Sequence, residues 1–229
     1  LKEIVHTSVA TQLEKITMKK YIPLLALLPV TASAADFSYT NFSIGYLNGS
    51  AELPASYLGA AQDLDLEGFQ IDGQFEIANN FFGSFSYQDG DISLNAVGSL
   101  DYRAITVGLG GYVPLGAPVD LLYGLNYRYS DWDAGAGLDQ SIGHITAHVG
   151  LRWSPVEWLE VNPFITHYFP VSDDNLLQAA QATYLEARLY ITASEMFQPF
   201  VGVSYNIQED SDNITGNLEL FQAGLRISF

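Results

Sequence analysis

The sequence predicts an all-β chain: a transmembrane, up-and-down antiparallel β-barrel of ten strands, with eight as the alternative count. Three observations carry this. From Asp36 onward apolar and polar residues alternate with period two, the mark of strands with one apolar face. The connections alternate between short turns and longer acidic stretches, as the hairpins of a membrane barrel do. After Lys20 no lysine remains, although water-facing surfaces use that residue freely as a solubilising charge.

Composition narrows the function. The chain has 229 residues, no cysteine and a net charge of -17. That excludes disulfides, a thiolate nucleophile and a zinc site built on sulfur. A pI near 4.2 excludes nucleic acid as a partner, since phosphate binding needs a basic surface. Aromatic residues make up 13% and charged residues only 15%, which excludes a disordered chain.

The first segment reads as an address. Met18-Lys19-Lys20 precedes the apolar run Tyr21 to Val30, and Thr31-Ala32-Ser33-Ala34-Ala35 follows. This is the basic, apolar and small-residue order of a secretory signal peptide, over residues 18–34. Residues 1–17 are expected to be an over-extended N-terminus, and 35–229 the barrel domain. Setting 1–34 aside removes four of the nine basic and two of the 26 acidic residues, leaving five against 24. The five are all arginines: Arg103, Arg128, Arg152, Arg188 and Arg226.

The strands follow in order, near 39–47, 66–77, 81–88, 99–113, 119–129, 144–153, 159–169, 184–191, 199–208 and 216–229. The clearest sets Val119, Leu121, Tyr123, Leu125, Tyr127 and Tyr129 against Asp120, Leu122, Gly124, Asn126 and Arg128. Two are less clean. The 99–113 run changes phase near Ala104, which predicts a bulge, and Pro163 interrupts 159–169. Short turns fall at 78–80, 114–118, 154–158 and 193–198; long acidic loops fall near 48–64, 89–98, 130–143, 170–182 and 209–215. Among the expected loop carboxylates are Asp131, Asp133, Asp173, Asp174, Asp210 and Asp212. An even strand count puts both termini at the short-turn, periplasmic side.

What separates a membrane barrel from a soluble β-sandwich is the content of the polar face. An arginine at mid-membrane on the lipid side would cost about 2–4 kcal/mol, so the arginines belong in the lumen. There Asp72, Glu76, Asp120 and Glu186 are expected to meet Arg128, Arg152, Arg188 and Arg226 in a network of ion pairs. Arg103, in phase with Ile105 and Val107, is expected at the outer rim. Tyr46, Tyr87, Tyr127, Tyr129, Trp153, Trp158 and Phe229 sit near strand ends, where interfacial aromatic girdles belong.

The last strand, Gln222-Ala223-Gly224-Leu225-Arg226-Ile227-Ser228-Phe229, alternates and ends on phenylalanine. It resembles the C-terminal signal strand of outer-membrane barrels in Gram-negative bacteria. With the hairpin series, residues 36–229 resemble the small outer-membrane β-barrel family related to OmpX and the OmpA membrane domain. The resemblance implies an integral outer-membrane location and Phe229 as an assembly signal read by the barrel-assembly machinery. It also implies lipopolysaccharide as outer-leaflet neighbour, and a monomer. The expected role is structural or a surface interaction with a host or cell-surface ligand, the lumen being filled by ion pairs. A narrow cation-preferring channel is the second reading.

Catalytic, metal and cofactor chemistry are not expected. His144 and His148 share a strand face, roughly 13 Å apart at strand rise, too far to ligate one metal as a pair. Asp131, Asp133 and Ser141 lie near His144 in sequence, which leaves a rim-active hydrolase as a third reading. Asp131-Trp132-Asp133-Ala134-Gly135 begins like a calcium loop but lacks its remaining ligands, and Asn213-Ile214-Thr215 is a sequon of little weight in a bacterial protein.

Overall fold

The computed structural model describes residues 37–53, 62–94, 98–116, 118–133, 140–171, 181–207 and 219–229. The expected signal peptide, with Asp173, Asp174, Asp210, Asp212 and the sequon, lies outside them. Ten strands are present: β1 (Asn41–Leu53), β2 (Gln62–Ala78), β3 (Phe81–Leu94), β4 (Gly98–Gly116), β5 (Val119–Asp133), β6 (Gln140–Val156), β7 (Leu159–Pro170), β8 (Ala182–Ile191), β9 (Phe197–Asn206) and β10 (Glu219–Ser228). Each pairs antiparallel with its sequence neighbours, and β1 closes on β10. Among the described residues the count is ten, not eight.

The outer face is apolar. Ile105, Val107, Leu109, Val113 and Leu115 on β4 are exposed, and so are Leu125, Tyr127 and Tyr129 on β5. From 105 to 115 the band spans eleven positions, and from Phe69 to Ile77 on β2 it spans nine. A tilted strand needs about 9–11 residues to cross a bilayer. Aromatic rings lie over outward glycines across the strand boundary. A Cβ built on Gly83 would meet the Phe75 ring at 2.3 Å, and one on Gly73 the Phe85 ring at 2.4 Å. These rings cover backbone that glycine leaves bare.

The same device fills the lumen. Phe82, buried on β3, lies 2.5 Å from where Gly110 would carry a Cβ. Gly110→Val should therefore overpack the barrel and lower its unfolding free energy by about 1–3 kcal/mol. Urea titration of the folded barrel reads this, and Phe82→Leu in the same chain should restore part of the loss.

Strands β2 to β5 run further than expected, and here the structure corrects the loop assignment. Asp131 and Asp133, expected in a loop, belong to β5, as Asp63 does to β2 and Asp89 and Asp91 do to β3. No bulge interrupts β4 near Ala104: its register with β3 and β5 is continuous there. What changes is which face is apolar. Beyond Ile105 the outward residues become Arg103 and Asp101, while Leu100 and Tyr102 turn inward onto a buried cluster of Leu47, Leu66 and Ile92. Trp132 packs on that cluster too, between the outward Asp131 and Asp133. Below the switch the wall is built for lipid outside; above it the pattern is that of a water-soluble sheet with its apolar side in.

Candidate functional site: the lumen

At the short-turn end the lumen is tied by one carboxylate. Glu160, second residue of β7, faces inward because Val161 points out, and Arg152 of β6 and Arg226 of β10 converge on it. Arg226 is bidentate, at 2.7 and 2.8 Å, and Arg152 Nη2 adds a bond of 2.9 Å. Asn162 Nδ2 donates a fourth, at 2.9 Å. The side chains of all three charged residues are 3–5% exposed. Arg226 also donates through Nε to Gln198 and lies over the Tyr190 ring at 3.7 Å. Arg152 donates to the Ser38 carbonyl at 2.7 Å. Two cations against one anion, all dry, hold only because every oxygen of Glu160 is satisfied.

Beside this knot an aromatic stack continues the closure. Tyr39, from the segment ahead of β1, stacks on Tyr112 with centroids 3.8 Å apart and packs on Phe82 and Leu122. Its hydroxyl donates to Asp120 at 2.5 Å. Burial, then that hydrogen bond, pushes the phenol's pKa up, so Tyr39 remains a donor.

The next layer is wetter. Arg188 of β8 forks onto Asp72 of β2 at 3.2 and 3.3 Å, with side chains 24% and 18% exposed. Gln70 donates to the same carboxylate and accepts from Gln88 at 2.9 Å. Toward the long-loop end Arg128 of β5 donates to Gln88 at 2.5 Å, to the Tyr102 hydroxyl and to Ser130. Glu186 accepts from Thr166.

The expected network is thus redistributed. Asp72 with Arg188, and Arg152 with Arg226, do come together, the latter through Glu160. Glu76 stands apart, exposed at the rim, where its carboxylate accepts from Tyr112 at 3.2 Å. Asp120 takes a phenol rather than an arginine, although it faces Arg152 across the β5–β6 ladder. Arg128 bonds to neutral groups, and Glu186 to a hydroxyl. Glu160 was missed because Pro163 broke the run; its alternation with Asn162 and Thr166 was the signal that would have found it. Arg103 lies at the rim on the outer face, 60% exposed and paired with Asp89 at 3.2 Å.

The histidines are divided by the wall. His144 and His148 face inward, His148 sharing a hydrogen bond with Asn126 at 3.2 Å. His167 faces out and bonds Thr183 at 2.8 Å. Asp131 and Ser141, paired across the β5–β6 ladder, lie on the outer face, opposite to His144. An acid–His–Ser constellation is therefore not assembled among the described residues.

Two solved structures resemble this barrel. An outer-membrane channel from Pseudomonas putida F1 is 8% identical over 88% of this chain and 99% of that one, with a TM-score of 0.55. The translocator domain of the autotransporter NalP from Neisseria meningitidis is 11% identical over 98% of each chain, with a TM-score of 0.50. The fold is that of an outer-membrane β-barrel. At such identities the likeness is one of fold. No protein-family model matches the chain, and no curated protein matches it in sequence.

Proposed function

We propose that the chain is an integral outer-membrane barrel of the small OmpX-like kind, closed across its lumen, with a structural or surface-contact role. The short-turn end faces the periplasm and the long-loop end the outside, next to lipopolysaccharide. The observation that carries closure is the dry Arg152–Glu160–Arg226 knot with the Tyr39 stack beside it. Ions crossing there would have to displace a bidentate pair held by further hydrogen bonds. The expected result is a silent barrel in planar bilayers, once a heat-modifiable gel shift shows that it is folded. Tyr39→Ala combined with Arg226→Ala should give measurable current in the folded protein.

A second reading is favoured by the partly exposed Asp72–Arg188 layer and by the outward carboxylates of β2 to β5, which would draw cations to the outer mouth. Stable, cation-selective steps in the unmodified chain would establish that reading and overturn closure.

A further inference from the structure

We infer that the lumen holds a binding site for a small monocarboxylate, centred on Arg128 and walled by Tyr102, His144, Tyr168 and Tyr184. It rests on the barrel reading but not on closure, which conductance tests separately. Arg152, Arg188 and Arg226 each have a carboxylate within 3.2 Å. Among the described residues Arg128 has none. Its Nε and one Nη2 serve Ser130, Gln88 and Tyr102, and Nη1 makes no hydrogen bond to a described residue. A guanidinium confined in a barrel without an ion-pair partner is unfavourable, and its free Nη1 can donate to a carboxylate oxygen.

The groups around it are unused donors. Arg128 faces His144 across the β5–β6 ladder, Tyr168 and Tyr184 share that inward face on β7 and β8, and neither hydroxyl bonds a described residue. His144 Nδ1 is buried with no partner among the described residues, and its ring meets Tyr168 edge-on at 5.8 Å. Tyr168 in turn meets Tyr184 at 5.2 Å, so the three rings form one wall. Phenol, imidazole in its Nδ1–H form and guanidinium share this stretch of the lumen as available donors, which is what an oxyanion requires. Glu186 fixes the charge of the ligand. It lies two residues from Tyr184 on the same inward face, accepts from Thr166 and makes no ion pair with Arg128, so a second negative charge on the ligand would be repelled.

Trp132 reports on the site, because its ring packs on Tyr102 with centroids 6.1 Å apart. With Trp153→Phe and Trp158→Phe it becomes the sole tryptophan of the three. The folded chain in detergent, checked by its gel shift, is titrated with sodium acetate and with sodium chloride at constant ionic strength. A saturable change in fluorescence with acetate is expected, absent with chloride. Arg128→Gln should weaken it at least about tenfold, the loss of hydrogen bonds to a charged group, while Arg103→Gln at the rim leaves it unchanged. Absence of saturation in the folded protein overturns the site. So does an undiminished response in Arg128→Gln, or an equal response to chloride.

Discussion

Glu160→Gln should destabilise the barrel by about 3–5 kcal/mol, because it leaves Arg152 and Arg226 facing each other without their anion. The amide keeps size and shape and can still accept from Asn162 or one arginine, so the loss reads charge rather than volume. Both guanidiniums are nearly inaccessible to water, and the nearest hydrogen-bond partners besides Glu160 are Gln198 and the Ser38 carbonyl, which carry no charge. Urea unfolding in lipid vesicles measures the change. A triple variant, Glu160→Leu with Arg152→Met and Arg226→Met, should recover most of the stability, since a packed apolar trio can replace a buried ionic one. Recovery would show that the knot's contribution lies in closing the lumen and fixing strand partners rather than in net stability. If Glu160→Gln unfolds at the same urea concentration as the unmodified chain, the ionic account is wrong.

Leu109→Arg and Asp101→Arg should differ sharply although both residues lie on the outer face of β4. Leu109 sits at the middle of the apolar band and is 65% exposed, so arginine there should lower stability in a bilayer by about 2–4 kcal/mol. Asp101 lies beyond the point where the apolar face switches, beside the outward Asp91 and Asp133. Arginine there meets carboxylates and water, and stability should hold or rise slightly. The comparison is made by urea titration in vesicles. Equal losses at the two positions would mean that the lipid boundary does not lie between them.

The strand plan was legible because alternation with period two and the short-turn signals are both local. The lumen pairing was not. Which arginine meets which carboxylate depends on shear around the closed wall, and that brings Arg188 to Asp72 across 116 positions of sequence. The phase change at Ala104 was visible, but a bulge and a change of solvent leave the same trace in a single strand. They separate only when neighbouring strands show the same inversion in register, as Leu66, Ile92, Tyr102 and Trp132 do. Acidic residues at the strand ends were read as loops for the same reason: charge marks water, not the end of a ladder.

That inversion also acts as a draught mark. Sinking the barrel by two residues, about 7 Å along a strand, would drag Glu67, Asp89 and Asp131 into hydrocarbon. Raising it as far would lift Phe69, Tyr87 and Tyr129 into water. Among the described residues the outward carboxylates at this end stand on β2 to β5 and, through Glu219, on β10, so this resistance is strongest along one flank. The wall is held at its depth there as a hull is by ballast laid along one side.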